Sequence, residues 1–325
     1  MAIAGVLGCP TGDDDDVQWA VVGEDLPGAL LSVWGTASDD VWSVGADARD
    51  GSGPQVVHFD GERWAHLPTG QTQGDLWWVF GFEGGPIYMG GDGGMIVRYQ
   101  GDTFTVMPTP GTNTVFGIWG ASEDQLWAVG GASDATGGFA WRLVGDAWVE
   151  EPSLPAEVVA DAALWKIYGT AADDAWLVGS NGVALHWDGT ALTPGATGVG
   201  SSLFTVHAHG GHYAAVGGLA SGVIVELDDG EWQDVTPEPT PMGLSGVTLG
   251  PQDTGIAVGM FATVLTRDAD GWQTEELGLP VPQNLHGSWI DERGGLWAVG
   301  GETLSPPLTD GVMIHRGTVV PSEGL

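Results

Sequence analysis

The chain has one cysteine, Cys9, and one lysine, Lys166, in 325 residues. A single cysteine excludes an internal disulfide and a cysteine-based zinc centre. Basic residues number 8 against 43 acidic ones, for a net charge of −35. With no basic face for a phosphate backbone, nucleic acid is ruled out as a partner, and docking on anionic lipid heads is disfavoured. No apolar run reaches ~18 residues, so no segment reads as a membrane-spanning helix. Helical periodicity is missing too, apart from residues 156–166, which read as a loop with at most one helical turn. What the chain does have is 56 glycines, 17 tryptophans and a 42% hydrophobic fraction, enough apolar matter for a packed core.

At the N-terminus, Val6-Leu7-Gly8-Cys9 is followed by Pro-Thr-Gly and four aspartates, Asp13 to Asp16. The four residues resemble a bacterial lipobox, in which the cysteine is lipidated and a polar stretch tethers the domain. A basic leader and a long apolar segment, which a full signal also needs, are absent. The expectation is lipidation at Cys9, an exported chain held at the cell envelope by its lipid or secreted, and no other membrane contact. Residues 1–16 are then a signal remnant and acidic tether, and 17–325 a single domain.

Internal repetition dominates that domain. One phrase recurs seven times: an apolar residue, two spacers, Val, an aromatic, Gly, a polar turn, then Trp-Ala-Val-Gly or a close variant. It opens at Leu30, Leu76, Val115, Leu164, Leu203, Leu244 and Leu285 and closes at Gly45, Gly90, Gly130, Gly179, Gly217, Gly259 and Gly300. The closing glycines lie about 42 residues apart. Each phrase is followed by a variable loop and a short alternating strand that ends in Asp-Gly and an aromatic, as in Val56–Trp64. Asp-Gly between apolar alternations signals a tight hairpin. Four short strands per repeat, seven times, predict an all-β, seven-bladed β-propeller with four-stranded blades. Residues 17–22 (VQWAVV) are expected to close the ring as the outer strand of the last blade, with Trp19 in the place of Trp64. The competing candidate for that strand is 318–321.

The paired glycines Gly90-Gly91, Gly130-Gly131, Gly217-Gly218 and Gly300-Gly301 resemble those of kelch repeats. The full phrase around Trp34-Gly35 and Asp39-Asp40-Val41-Trp42, continued by His58 and Asp60-Gly61, is similar to repeats of secreted bacterial propellers of the myxobacterial type. The sialidase Asp-box is only distantly similar, because Ser38-Asp39-Asp40-Val41-Trp42 lacks its glycine. The resemblance implies architecture and leaves chemistry open, since propellers carry enzymes, lectins and scaffolds alike.

Most tryptophans fall at repeat positions and are read as wedges between diverging blades. Three residues before the glycine of the Trp-Gly pair, the innermost strands carry Ser32, Trp78, Gly117, Lys166, Thr205, Gly246 and Gly287. Small residues suit strands crowded at an axis, so Trp78 and Lys166 break the pattern and become the candidate ligand-binding pair. A lysine paired with a nearby aspartate is the plainer reading. His207, His209 and His212 form the one histidine cluster, where imidazoles two apart on a strand could hold zinc, copper or nickel. His207 also falls in the packing slot of Trp34 and Trp119. The polar series His58, Arg98, Arg142, His186, with His315 and Glu226 as looser members, is expected to find partners in acidic turns such as Asp39-Asp40 and Asp173-Asp174. Those turns are alternatively calcium ligands.

No serine nucleophile elbow and no phosphate loop occur. A sialidase arginine triad and a copper site built on a cysteine–tyrosine crosslink cannot be assembled either. The leading expectation is therefore a monomeric, non-catalytic binding module for a protein or carbohydrate partner, without a required cofactor. The alternative is an extracellular polysaccharide hydrolase or lyase with its site at the channel mouth. In either case the working face is expected where the loops between second and third strands (longest 46–54, 131–138 and 301–311) and those joining successive blades (longest 150–163 and 273–284) emerge.

Overall fold

The computed structural model describes residues 17–318 and Leu325. Cys9 and the acidic tether lie outside the described residues, as does most of 318–321. The chain forms seven antiparallel sheets of four strands each. Six blades take consecutive segments, 30–66, 76–106, 114–150, 164–196, 203–234 and 244–275, and the seventh takes three strands from 284–316. Its outer strand is Trp19–Leu26 from the N-terminus. Trp19 faces Arg316 across that pairing, as Trp64 faces Phe59 in blade 1. The ring is thus closed by the N-terminal segment, in a strand that runs four residues past the expected end.

The innermost strands pack against one another around the axis, with blade 1 meeting both blade 2 and blade 7. Each blade buries both faces against its neighbours, so no end blade needs a cap. The tryptophans of the repeat fill the widening outer wedge. Trp127 of blade 3 meets Trp187 of blade 4 at 5.0 Å, and Trp176 of blade 4 meets Trp232 of blade 5 at 5.2 Å in an edge-to-face pair. Such contacts contribute ~0.5–1.5 kcal/mol each beyond their area.

The closing glycine of each phrase faces the phrase's first apolar residue, as Leu30 faces Gly45 and Leu285 faces Gly300. A Cβ there would run into the carbonyl oxygen of the residue before that apolar one, Ala29 or Asn284. In blade 2 this position is Gly91, opposite Leu76 with Asp75 O against it. The sequence placed it at Gly90. Two adjacent glycines left the register undecided, and the close backbone approach decides it.

Polar side chains bind each blade internally. Asp40 accepts from Trp42 Nε1 at 3.1 Å, pairs with His58 Nε2 at 2.7 Å and is bonded by Thr36, while the His58 ring stacks on Trp42 at 3.9 Å. Blade 4 repeats the set with Thr170, Asp174, Trp176 and His186. Burial pushes the Asp40 carboxyl up, but the bonds from His58 and Thr36 outweigh it and hold the group below its ordinary range. Between blades 5 and 6, Glu226 takes Arg267 Nε at 2.7 Å and Trp272 Nε1 at 2.7 Å. Arg142 lies over the rings of Trp127 and Trp187 and reaches Glu151 at 3.6 Å.

Connections between second and third strands alternate in length. Blades 2, 4 and 6 use tight turns at Asp92–Gly94, Ser180–Gly182 and Met260–Ala262. Blades 1, 3, 5 and 7 use longer loops. The segment read as a loop with at most one turn carries one, Ala156–Val159. Among the described residues no helix is long and apolar enough to cross a membrane.

Candidate functional site

Every innermost strand carries the same irregularity. The pairing skips one residue between the first and third positions of the repeat phrase. The extra residues are Leu31, Trp77, Phe116, Trp165, Phe204, Ser245 and His286. A β-bulge takes one residue out of the ladder and re-aims its side chain. Six of these seven line a single cavity of about 300 Å³ at the channel mouth, and Leu31 packs beside it against Trp77. The rings form a continuous arc: His286 to Trp77 at 5.8 Å, Trp77 to Phe116 at 5.4 Å, Phe116 to Trp165 at 4.8 Å and Trp165 to Phe204 at 6.0 Å.

The rim is drawn from loops and turns between second and third strands: Ser133, Leu219, Met260, Thr303 and Leu304. Three of these belong to the long loops 131–138 and 301–311. Leu219 and Leu304 are more than half exposed, an apolar lip around an aromatic well. Among the described residues that line the cavity there is no Asp or Glu, and its two ionisable groups are Lys166 and His286.

Bulging frees backbone carbonyls that then need partners. His286 Nδ1 donates to Leu31 O at 2.7 Å, Thr205 Oγ1 to Ser245 O at 2.6 Å, and Lys166 Nζ to Phe116 O at 2.6 Å. Lys166 is buried, and its amine lies 3.8 Å from the centre of the Trp78 ring. The two residues that break the small-residue series therefore meet. They do so over Gly117, the small member between them in ring order: Trp78 Nε1 donates to Ile118 O at 2.8 Å, and a Cβ on Gly117 would stand 3.1 Å from Lys166 Cα. Burial without a carboxylate partner pushes the Lys166 amine down from 10.5 to about 7. Burial, and next the charge of Lys166, push His286 down to about 4, so its imidazole is neutral at pH 7. Trp165 Nε1 is buried with no hydrogen-bond partner among the described residues.

Sequence reasoning singled out Trp78 where the cavity wall carries Trp77, because the bulge sends the first of the two tandem tryptophans into the channel and leaves the second behind Lys166. The available signal was an aromatic at the second position of four phrases, Trp77, Phe116, Trp165 and Phe204, off the three packing positions.

The histidine cluster is divided among other contacts. The His207 ring lies tilted against Tyr168 of the preceding blade at 4.0 Å, and its Nδ1 accepts from Leu249 N of the next at 3.1 Å. Burial, with His209 adding to it, pushes His207 down to about 3. His209 is exposed, and His212 Nε2 lies 3.3 Å from Glu226. Among the described residues no group of three or more His, Cys, Asp or Glu is disposed to hold a metal ion. A second cleft, of about 370 Å³, lies at the opposite end of the strands and includes Arg267, Arg293 and Arg316. Each guanidinium there has its own carboxylate, from Glu226, Glu292 and Glu275.

No family model matches the chain, and no curated protein matches it. Solved structures do. YCF48 bound to D1 peptide superposes with a TM-score of 0.67 at 14% identity, covering 94% of this chain and 98% of that one. A streptogramin B lyase gives 0.69 at 13% identity, covering 92% and 98%. The GH74 xyloglucanase from Xanthomonas campestris gives 0.64 at 15% identity, covering 91% of this chain and 55% of that one. At these identities the likeness is one of fold: the chain is a seven-bladed β-propeller, an architecture shared by a peptide binder, a lyase and a glycanase.

Proposed function

We propose that the chain is a non-catalytic binding module that works at its channel mouth, and that its partner is a protein which inserts an apolar side chain or chain end into the aromatic well. The supporting observation is the lining itself: a continuous arc of four aromatic residues and one neutral imidazole, with no carboxylate among the described lining residues. Stacking and apolar burial supply affinity there. A sugar also needs polar groups matched to its hydroxyls, and this well offers only Ser133, Thr205, Ser245 and Thr303 beside Lys166 and His286. Polysaccharide hydrolysis by the usual route needs two carboxylates across the scissile bond, which this lining does not supply. The setting we propose is the cell envelope, with Cys9 as the lipid anchor.

The test is a random peptide library panned on the full chain beside a glycan array. Enriched peptides should share an apolar anchor residue, and their affinity should fall at least tenfold in Trp165→Ala. Reproducible, Trp165-dependent binding to one glycan class, with no peptide enriched, would overturn the reading.

A further inference from the structure

Lys166 does more than its local duty requires. Thr205 occupies the equivalent position in the next blade and satisfies a bulge carbonyl with a neutral hydroxyl, Oγ1 to Ser245 O at 2.6 Å. Lys166 performs the same task for Phe116 O and brings a positive charge to the cavity wall. That charge has the Trp78 ring beneath it and a carbonyl beside it. A cation–π contact and one hydrogen bond offset part of the desolvation of an ammonium, and a counter-charge would offset far more. The protein has 43 carboxylates to offer, and none of the described ones lines this cavity. Trp165, on the same wall, holds a second buried donor, Nε1, with no partner among the described residues. Lys166 and Trp165 thus stand side by side in the wall of one aromatic well.

We infer that Lys166 is the anion-recognition group of the channel mouth, and that the ligand carries a carboxylate on an apolar or aromatic body, the carboxylate against Nζ and the body within the arc of Phe116, Trp165 and Phe204. This rests on the channel mouth being the binding site. The carboxylate has two possible sources, the free C-terminus of a partner chain or a small aromatic acid. The other ionisable group facing the cavity, His286, donates Nδ1 to Leu31 O and is neutral, so it does not compete for the anion.

Lys166 is the sole lysine, which makes the test direct. The full chain is labelled with [13Cε]lysine, so one side-chain resonance reports one amine. Four probes are titrated: 3-phenylpropionate, its isosteric amide, N-acetyl-Gly-Gly-Phe with a free C-terminus, and the same peptide amidated. At least one acid should bind tenfold or more tighter than its amide and raise the Lys166 midpoint by at least one pH unit. A preference shown by 3-phenylpropionate indicates a small acid, and one confined to the peptide indicates a chain end. In Lys166→Met the acid-to-amide ratio should fall to about one. Equal binding of acids and amides, binding of neither, or an unmoved lysine resonance on saturation would overturn the inference. Trp165-dependent binding of library peptides would in each of those cases leave the channel mouth standing as a binding site.

Discussion

Replacing Lys166 with methionine should stabilise the protein at neutral and acid pH and destabilise it at alkaline pH. The amine titrates near 7 in the folded chain and 10.5 is its ordinary value, a gap equivalent to ~5 kcal/mol between the two charge states. Below pH 7 both folded and unfolded chains are protonated, and the folded one bears the whole penalty of a buried ammonium. Between pH 7 and 10.5 the unfolded chain binds more protons, so stability rises with pH. Above 10.5 the penalty is gone. Methionine keeps the stem over Trp78 but leaves Phe116 O without its donor, a loss of ~1–3 kcal/mol. At pH 6 the variant should therefore be more stable by roughly 2–4 kcal/mol, and at pH 10.5 less stable by ~1–3 kcal/mol. Urea titrations of both proteins at the two pH values, followed by tryptophan fluorescence, measure the difference, in which all other titrating groups cancel. A variant less stable at pH 6, or a difference that does not change with pH, would refute the picture of an uncompensated charge.

Three further outcomes follow from the packing. Trp19→Ala removes the ring at the closing strand and its 2.6 Å bond to Glu275, and should cost ~3–5 kcal/mol; hydrogen exchange should speed up in 309–316 before the other blades. Asp40→Ala strips partners from Trp42, His58 and Thr36 and should lower the urea midpoint clearly, whereas Asp39→Ala, at an exposed neighbour, should leave it within error. Burial pushes the Glu226 carboxyl up, but the bonds from His212, Arg267 and Trp272 together bring it down to about 2. A carboxyl lowered on folding contributes stability above its unfolded value near 4.5 that is lost as pH falls toward 2. Acid titration should show that loss, and Glu226→Gln should remove that part of it.

Much of the architecture was written locally. The period near 42, the Asp-Gly hairpins and the displaced outer strand at Trp19 each follow from residues close in sequence, and the ring is their repetition. The polar pairs were legible by type, because Asp40 and Asp174 sit at the same place before Gly45 and Gly179, and His58 and His186 at the same place before Gly61 and Gly189. The channel was harder. A bulge shifts register by one residue, and in a strand one residue exchanges the two faces. Trp77 and Trp78, or Gly90 and Gly91, are indistinguishable until the backbone is placed. The meeting of Lys166 with Trp78 joins side chains of blades 4 and 2 across Gly117, and no local pattern encodes a contact between blades that are not adjacent. Sequence marked both residues as exceptions and paired them as candidates, without showing that they touch.

The seven bulges also divide the chain's labour. Residues 31, 77, 116, 165, 204, 245 and 286 leave the strand ladder at the channel, while the tryptophans that stack blade on blade sit farther out on the same sheets. Under the proposed reading, selectivity is spelled by the six of them that line the well, which can be rewritten with little disturbance to the stacking. For a designer, those codons form a compact library on a fixed scaffold. For a lineage, they offer variation at the channel that leaves the ring intact.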